Sequence, residues 1–249
     1  MRKETRRQLI ESYLLEHGKV EIDELVPILN VSQMTLRRDL MELEKEHKLI
    51  RTHGGAVPIN GLIHETPYAN KESQHIHQKR AIAKKAAAIV KEGNTIILDS
   101  GTTSLELARL LKTKENVTVI TNDVFIAVEL VTSKNHVIVT GGEVQAQIGA
   151  MLGPHTESIL RDVNVDLFFL GAHAVHQSAG ITAPTLEKAK VKKMMINAAK
   201  ETWLISDSSK FGKKAFASVC SLTDLHGIIT DEHHMTDNLH LYHENILTT

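Results

Sequence analysis

Two groups of residues in this chain have the types and spacing to do chemistry. The first is Asp99-Ser100-Gly101-Thr102-Thr103-Ser104, which joins a β-rich run to a helical one. A strand turning into a helix there leaves backbone N–H groups free at the helix N-terminus. Hydroxyls flank them and a glycine permits close approach, a combination that suits a phosphate. No Gly-Lys-Ser/Thr follows, so a nucleoside triphosphate is not implied. Lys210 could bring a cation to the same phosphate, and Asp99 or Asp207 could accept sugar hydroxyls. The second group is Ser32, Gln33, Thr35, Arg37 and Arg38 on one short helix, followed by Arg51 and His53 before a Gly54-Gly55 turn. Polar tips and cations on a helix, then a basic hairpin, are the layout of a helix-turn-helix with a wing, built to lie against duplex DNA.

Each group has a plainer reading. Strand-to-helix turns are common without ligands, and paired arginines are often just a solvated helix face. The surrounding elements favour function in both cases. Residues 4–16 read as a helix with Leu9, Ile10, Tyr13 and Leu14 as its stripe, ended by Gly18. A second helix follows over 22–29 with Ile22, Leu25, Ile28 and Leu29 inward; Pro27 should shorten or kink it. Ser32 then caps a third helix whose buried stripe is Leu36, Leu40 and Leu43, leaving the arginines on the other side. Gln33 and Thr35 are placed to read base edges, Arg37 and Arg38 to grip phosphates, and the wing at 48–57 would bring Arg51 and His53 to the backbone or minor groove.

Beyond a Gly- and Pro-punctuated stretch the pattern changes. After a helix at 78–90, β-rich runs at 95–98, 117–120, 136–140, 166–170, 202–206 and 227–230 alternate with helical segments at 104–111, 124–131, 155–161 and 186–200. That alternation implies an α/β domain with a largely parallel sheet. Small and polar residues follow five of the runs: the Asp99 loop, Thr121-Asn122, Gly141-Gly142, Gly171-Ala172 and Asp207-Ser208-Ser209-Lys210. Open α/β sheets bind ligands at that end of their strands.

Composition sets outer bounds. The chain has 249 residues, 42% hydrophobic and 24% charged, which suits a folded protein. No apolar run approaches the ~18 residues of a membrane span, and Met1-Arg2-Lys3-Glu4 leads into no signal-peptide core, so the expected location is cytoplasmic. The first sixty residues carry acids and bases in equal number, so a DNA reading must rest on where the charges sit. The histidine pairs His75/His77, His233/His234 and His240/His243 lie among polar residues, and no metal or cofactor is expected. Cys220 has no partner for an internal disulfide and reads as a small core residue.

Val31-Ser32, Thr35, Arg37-Arg38-Asp39-Leu40, Leu43-Glu44, Arg51 and His53-Gly54-Gly55-Ala56 together resemble the signature of the DeoR family of bacterial transcriptional regulators. The likeness extends through Asp99–Thr103, Thr121-Asn122, Gly141-Gly142, Gly171-Ala172, Gly180-Ile181-Thr182, Val191-Lys192 and Asp207–Gly212, failing only in the C-terminal tail. The resemblance implies a winged helix-turn-helix joined to a ribose-5-phosphate-isomerase-like α/β effector domain. It also implies a homo-oligomer, dimer or tetramer, acting on operator DNA under a phosphorylated sugar, with Lys192 and Gly171 at the effector site. The sequence departs from the family pattern at His47, where glycine is usual, at His173-Ala174, usually Asn/Asp-Gly, and at Lys188, usually Glu.

The expected domains are a DNA-binding unit over 1–58, a linker over 59–74, an effector domain over 75–235 and a tail over 236–249. The expected function is a repressor of a carbohydrate-catabolism operon. The alternative is an isomerase-like enzyme with a DNA-binding appendage, in which Asp99, Asp207 and Lys210 would move a proton beside a carbonyl.

Overall fold

A computed structural model describes residues 2–46, 48–51, 54–58, 65, 67–232 and 239–249, in two units, Met1–His64 and Glu65–Thr249. His47 and His53 lie outside the described residues. In the first unit the order is α1 (Lys3–His17), β1 (Val20–Glu21), α2 (Ile22–Leu29), α3 (Gln33–Lys45), β2 (Leu49–Arg51) and β3 (Gly55–Pro58). Ile10, Leu14, Leu25, Leu36, Leu40 and Leu43 form its core, packed by the helical spacing of each stripe. Gly18 closes α1 in the left-handed conformation, and Ser32 caps α3 by accepting the Thr35 N–H at 3.2 Å.

Two stripe positions differ from expectation. Ile28 is 60% exposed, because Ile22, Leu25 and Leu29 define the buried face and Ile28 projects about a quarter-turn away from it. Leu9 is likewise exposed while Ile10 and Leu14 are buried. Pro27 neither ends nor shortens α2: the helix runs on to Leu29 and stops at left-handed Asn30. The wing closes on β1. Ala56 of β3 pairs with both Val20 and Arg51. A Cβ on Gly55 would meet the Val20 carbonyl oxygen at 1.7 Å, so only glycine permits that approach.

The second unit comprises α4 (Tyr68–Glu72), α5 (Ile76–Ile89), β4 (Thr95–Leu98), α6 (Thr102–Leu111), β5 (Thr118–Thr121), α7 (Val124–Leu130), β6 (His136–Val139), β7 (Glu143–Val144), β8 (Met151–Leu152), α8 (Pro154–Arg161), β9 (Val165–Leu170), β10 (Ala174–His176), β11 (Gly180–Ala183), α9 (Leu186–Ala198), β12 (Ala199–Ile205), β13 (Ala217–Cys220), β14 (Gly227–Thr230) and β15 (Ile246–Thr248). Seven strands form one parallel sheet in the order β15-β14-β12-β9-β4-β5-β6. Alternate residues feed opposite faces. Ile96, Leu98, Leu167, Phe169, Trp203 and Ile229 join the core with α5, α6 and α7. Ile97, Phe168, Leu170, Leu204 and Ile228 join the core with α9 and the small antiparallel sheet β10-β11-β13. Strand order reverses between β4 and β9, which opens a crevice at their carboxyl ends.

Three features depart from the sequence reading. Tyr68–Glu72, placed in the linker, is a helix of the second unit: Tyr68 stacks on Phe125 with ring centroids 4.0 Å apart, and its N–H reaches the Gln147 carbonyl at 2.8 Å. The C-terminal residues, placed in a tail, supply edge strand β15, whose Ile246 and Leu247 pack on the sheet. Cys220 is only partly buried, on a strand of the small sheet.

Arg6 of α1 forks onto Asp39 of α3 at 2.5 and 3.1 Å, and Asp39 is 2% exposed. Arg6→Ala strands that carboxylate and should cost about 2 kcal/mol. Amide hydrogen exchange in α1 and α3 should then speed up by about 30-fold, with α5 and α6 unchanged.

Candidate functional site

The exposed face of α3 carries Gln33, Met34, Arg37, Arg38 and Met41. A groove of about 400 Å³ runs beside it, bordered by Met34, Arg37, Arg38, Met41, Arg51 and Gly55. Four acids of this unit pair with bases away from that face: Glu42 with Lys3 at 2.6 Å, Glu46 with Arg7 at 2.5 Å, Asp39 with Arg6 and Glu11 with Lys48 at 2.8 Å. Arg37 has no acidic partner among the described residues, and Arg38 and Arg51 stand 3.8 Å from Glu42 and Glu44. A unit with balanced charge thus keeps one cationic face. Ser32 and Thr35 share a hydroxyl contact at 3.0 Å, so both serve the cap, and Gln33 donates to Asp23 at 2.8 Å. Met34 was not foreseen; it is 81% exposed in the first turn of α3.

In the second unit the crevice is built around Asp99, at the end of β4. Its carboxylate accepts the Ser100 and Gly171 N–H groups, each at 2.9 Å, and the Lys192 ammonium from α9. Lys192 also donates to the Gly171 carbonyl at 2.9 Å. Asp99, Gly171 and Lys192 are therefore internally engaged, and Asp99 is 1% exposed.

Gly101 follows with φ 153°, a conformation side chains disfavour, and α6 begins without a side-chain cap. The first-turn N–H groups of Thr102, Thr103 and Ser104 have no acceptor among the described residues, and Ser104 Oγ is buried without a partner. Asp123 steadies the loop: it accepts Gly101 N–H at 3.0 Å while capping α7 through Phe125 and Ile126. Burial pushes its carboxyl up to about 6, against the pull of those hydrogen bonds.

The other foreseen loops divide. Thr121 is fully buried and donates to the Leu98 carbonyl at 2.9 Å; Asn122 donates to the Met151 carbonyl at 3.1 Å but leaves its own oxygen unpaired. Gly141 and Gly142 follow β6, two strands from the switch, and pack on α8: Thr156 donates to the Gly141 carbonyl at 2.6 Å. Asp207 accepts the Ser209 N–H at 3.1 Å; burial would raise its carboxyl, but Lys210 and Ser209 outweigh that and hold it low. Asp231 orders the same loop through Ser208, at 2.7 and 2.8 Å.

Several charged groups here were missed. Glu65, Lys71 and Lys79 come from the stretch read as linker and first helix, and Lys188 from α9. Glu65 pairs with Lys188 and, at 3.4 Å, with Lys71. Lys79 is buried and donates to the Lys71 carbonyl. Burial draws Lys71 and Lys79 each down to about 8, against Glu65 and Asp207 respectively. Burial and the neighbouring Lys71 push His173 down to about 3. Lys210 influences Lys71, Lys79, His173 and Asp207 alike, and its ammonium has no hydrogen-bonded partner among the described residues. Charge alone could not have flagged these lysines, because a sequence does not show burial. Among the described residues no three Cys, His, Asp or Glu side chains are grouped to hold a metal.

A family model for the DeoR-like helix-turn-helix domain matches residues 6–61, and one for the DeoR C terminal sensor domain matches residues 74–232. The chain is 36% identical over 228 residues to the HTH-type transcriptional regulator GlpR of Haloferax volcanii, spanning 92% of this chain and 89% of that one. It is 34% identical over 235 residues to the lactose phosphotransferase system repressor of Staphylococcus epidermidis, spanning 93% of each. Among solved structures, a ribose 5-phosphate isomerase A of Methanocaldococcus jannaschii aligns loosely, with TM-score 0.42 and 19% identity over 55% of each chain.

His173 is held neutral in the fold but takes up a proton near pH 6.5 when unfolded, so stability is lost as pH falls from 6.5 toward 3. At pH 5 that linkage amounts to about 2 kcal/mol. Thermal unfolding of His173→Gln at pH 7 and pH 5 should therefore show a smaller acid-induced drop than the parent. An equal drop would mean His173 titrates normally.

Proposed function

Because the chain belongs to the DeoR family of DNA-binding transcriptional regulators, we propose that it represses a carbohydrate-catabolism operon and that a phosphorylated sugar controls its hold on the operator. The observation that carries the effector half is the uncapped start of α6 at a topological switch point, where free N–H groups, the Thr102 and Thr103 hydroxyls and buried Ser104 await an anion. The names of relatives, a lactose phosphotransferase system repressor among them, support a carbohydrate context. The isomerase-like alternative falls with family membership: a DeoR-type head on a DeoR sensor domain is a regulator.

At the site, Ser100, Gly101, Thr102, Thr103 and Ser104 hold the phosphate and Lys210 neutralises it. Asn122 and Asp207 face sugar hydroxyls with their unused oxygens. Asp99, Thr121, Gly141, Gly142, Gly171 and Lys192 act by shaping the rim, since their polar groups already serve the fold. At the DNA, Arg37, Arg38, Arg51 and His53 take phosphates. Gln33 reads a base edge after leaving Asp23, Met34 meets a thymine methyl, and Ser32 and Thr35 hold the helix start. The protein works in the cytoplasm as a homo-oligomer whose heads meet half-sites whole helical turns apart.

Arg37→Ala should weaken binding to every duplex and reduce the slope of log affinity against log salt by about one. An unchanged slope would mean that Arg37 touches no phosphate. Thr102→Asp places a carboxylate where the phosphate would lie. Fluorescence anisotropy should then show normal DNA binding that no longer responds to sugar phosphates, whereas a normal response would remove α6 from the site.

A further inference from the structure

Glu65 is the first residue of the second unit and the only carboxylate among the described residues that bonds both Lys71 and Lys188. Its other oxygen accepts from Gln145 at 3.2 Å. The pairing joins residues 123 apart in sequence, and the Lys188 side chain is even more buried than the carboxylate it holds. Burial alone would raise the Glu65 carboxyl; Lys188 and Lys71 outweigh it and keep the group ionised. Lys188, a position where this sequence leaves the family pattern, is thus tied directly to this acid. Lys79 and Lys210 stand beside Lys71. Two lysines converging on one inserted carboxylate are what an anion site looks like when a protein group already fills it.

We propose that Lys71 and Lys188 form an anion subsite which Glu65 occupies in the empty protein, and that a phosphoryl-bearing effector binds there by displacing it. This deepens, and rests on, the effector-site reading above. Displacement breaks the tie between Glu65 and Lys71 and so gives ligand binding a local consequence at the start of the second unit. It also lowers affinity, because only the fraction of molecules with Glu65 released is competent to bind.

The test is calorimetric titration of the full chain with inorganic phosphate, at ionic strength matched with chloride, for the parent, Glu65→Gln and Glu65→Asp. Glu65→Gln removes the competing charge and should bind phosphate about tenfold more tightly, with Glu65→Asp within about twofold of the parent. Hydrogen exchange distinguishes displacement from a mere change of local charge. In the parent, saturating phosphate should speed exchange in residues 68–72, and in Glu65→Gln exchange there should already be fast. Phosphate binding with equal affinity to parent and Glu65→Gln, or slower exchange in 68–72 on binding, overturns the displacement while leaving the effector site in place. No phosphate binding by any of the three overturns both.

Discussion

The Asp99 carboxylate is the point on which the sensor unit turns. It lies at the end of β4, where strand order reverses, and it binds the backbone of β9's exit loop and the ammonium of Lys192 on α9. A buried charge is tolerable only when paired and hydrogen-bonded, so these contacts come as a set. With the set in place, the Ser100–Ser104 turn is fixed between Asp99 on one side and Asp123 on the other. The uncapped N-terminus of α6 is thereby held open without any side chain of its own to fill it.

Electrostatics in the two units follow the same economy. In the DNA-binding unit, acids on α3 and at its end pair with the bases of α1 and leave Arg37 uncompensated on the exposed face. In the sensor unit, burial draws Lys71, Lys79 and Lys188 below their ordinary range despite the acids near them. Such a cluster lowers its energy by gaining an anion. If effector and operator bind the same chain with opposing preference, each must weaken the other by the same factor.

Much of this was legible in the sequence. The Leu36, Leu40, Leu43 stripe and the Ser32 cap announced α3, and the β-rich runs placed the six longest strands of the parallel sheet within a few residues. What stayed hidden depended on tertiary contact. Strands β10, β11 and β13 pair antiparallel in a small separate sheet that an alternation of β-rich runs and helices does not announce, and β15 joins an edge that only the folded sheet provides. Asp39 lay inside a motif read for its arginines, although an acid on a leucine stripe signals a buried partner, here Arg6. Glu65 and Lys188 could not be connected at all: nothing local marks an ion pair between an apparent linker and a helix so far along the chain.

The most direct measurement is a thermal-shift screen of the full chain against phosphorylated sugars, each beside its free sugar. A ligand that binds only the folded protein raises the melting temperature by mass action. The account predicts a rise with at least one sugar phosphate and none with the matching free sugar, because the proposed site holds the phosphoryl group. A shift of equal size with the free sugar would contradict it.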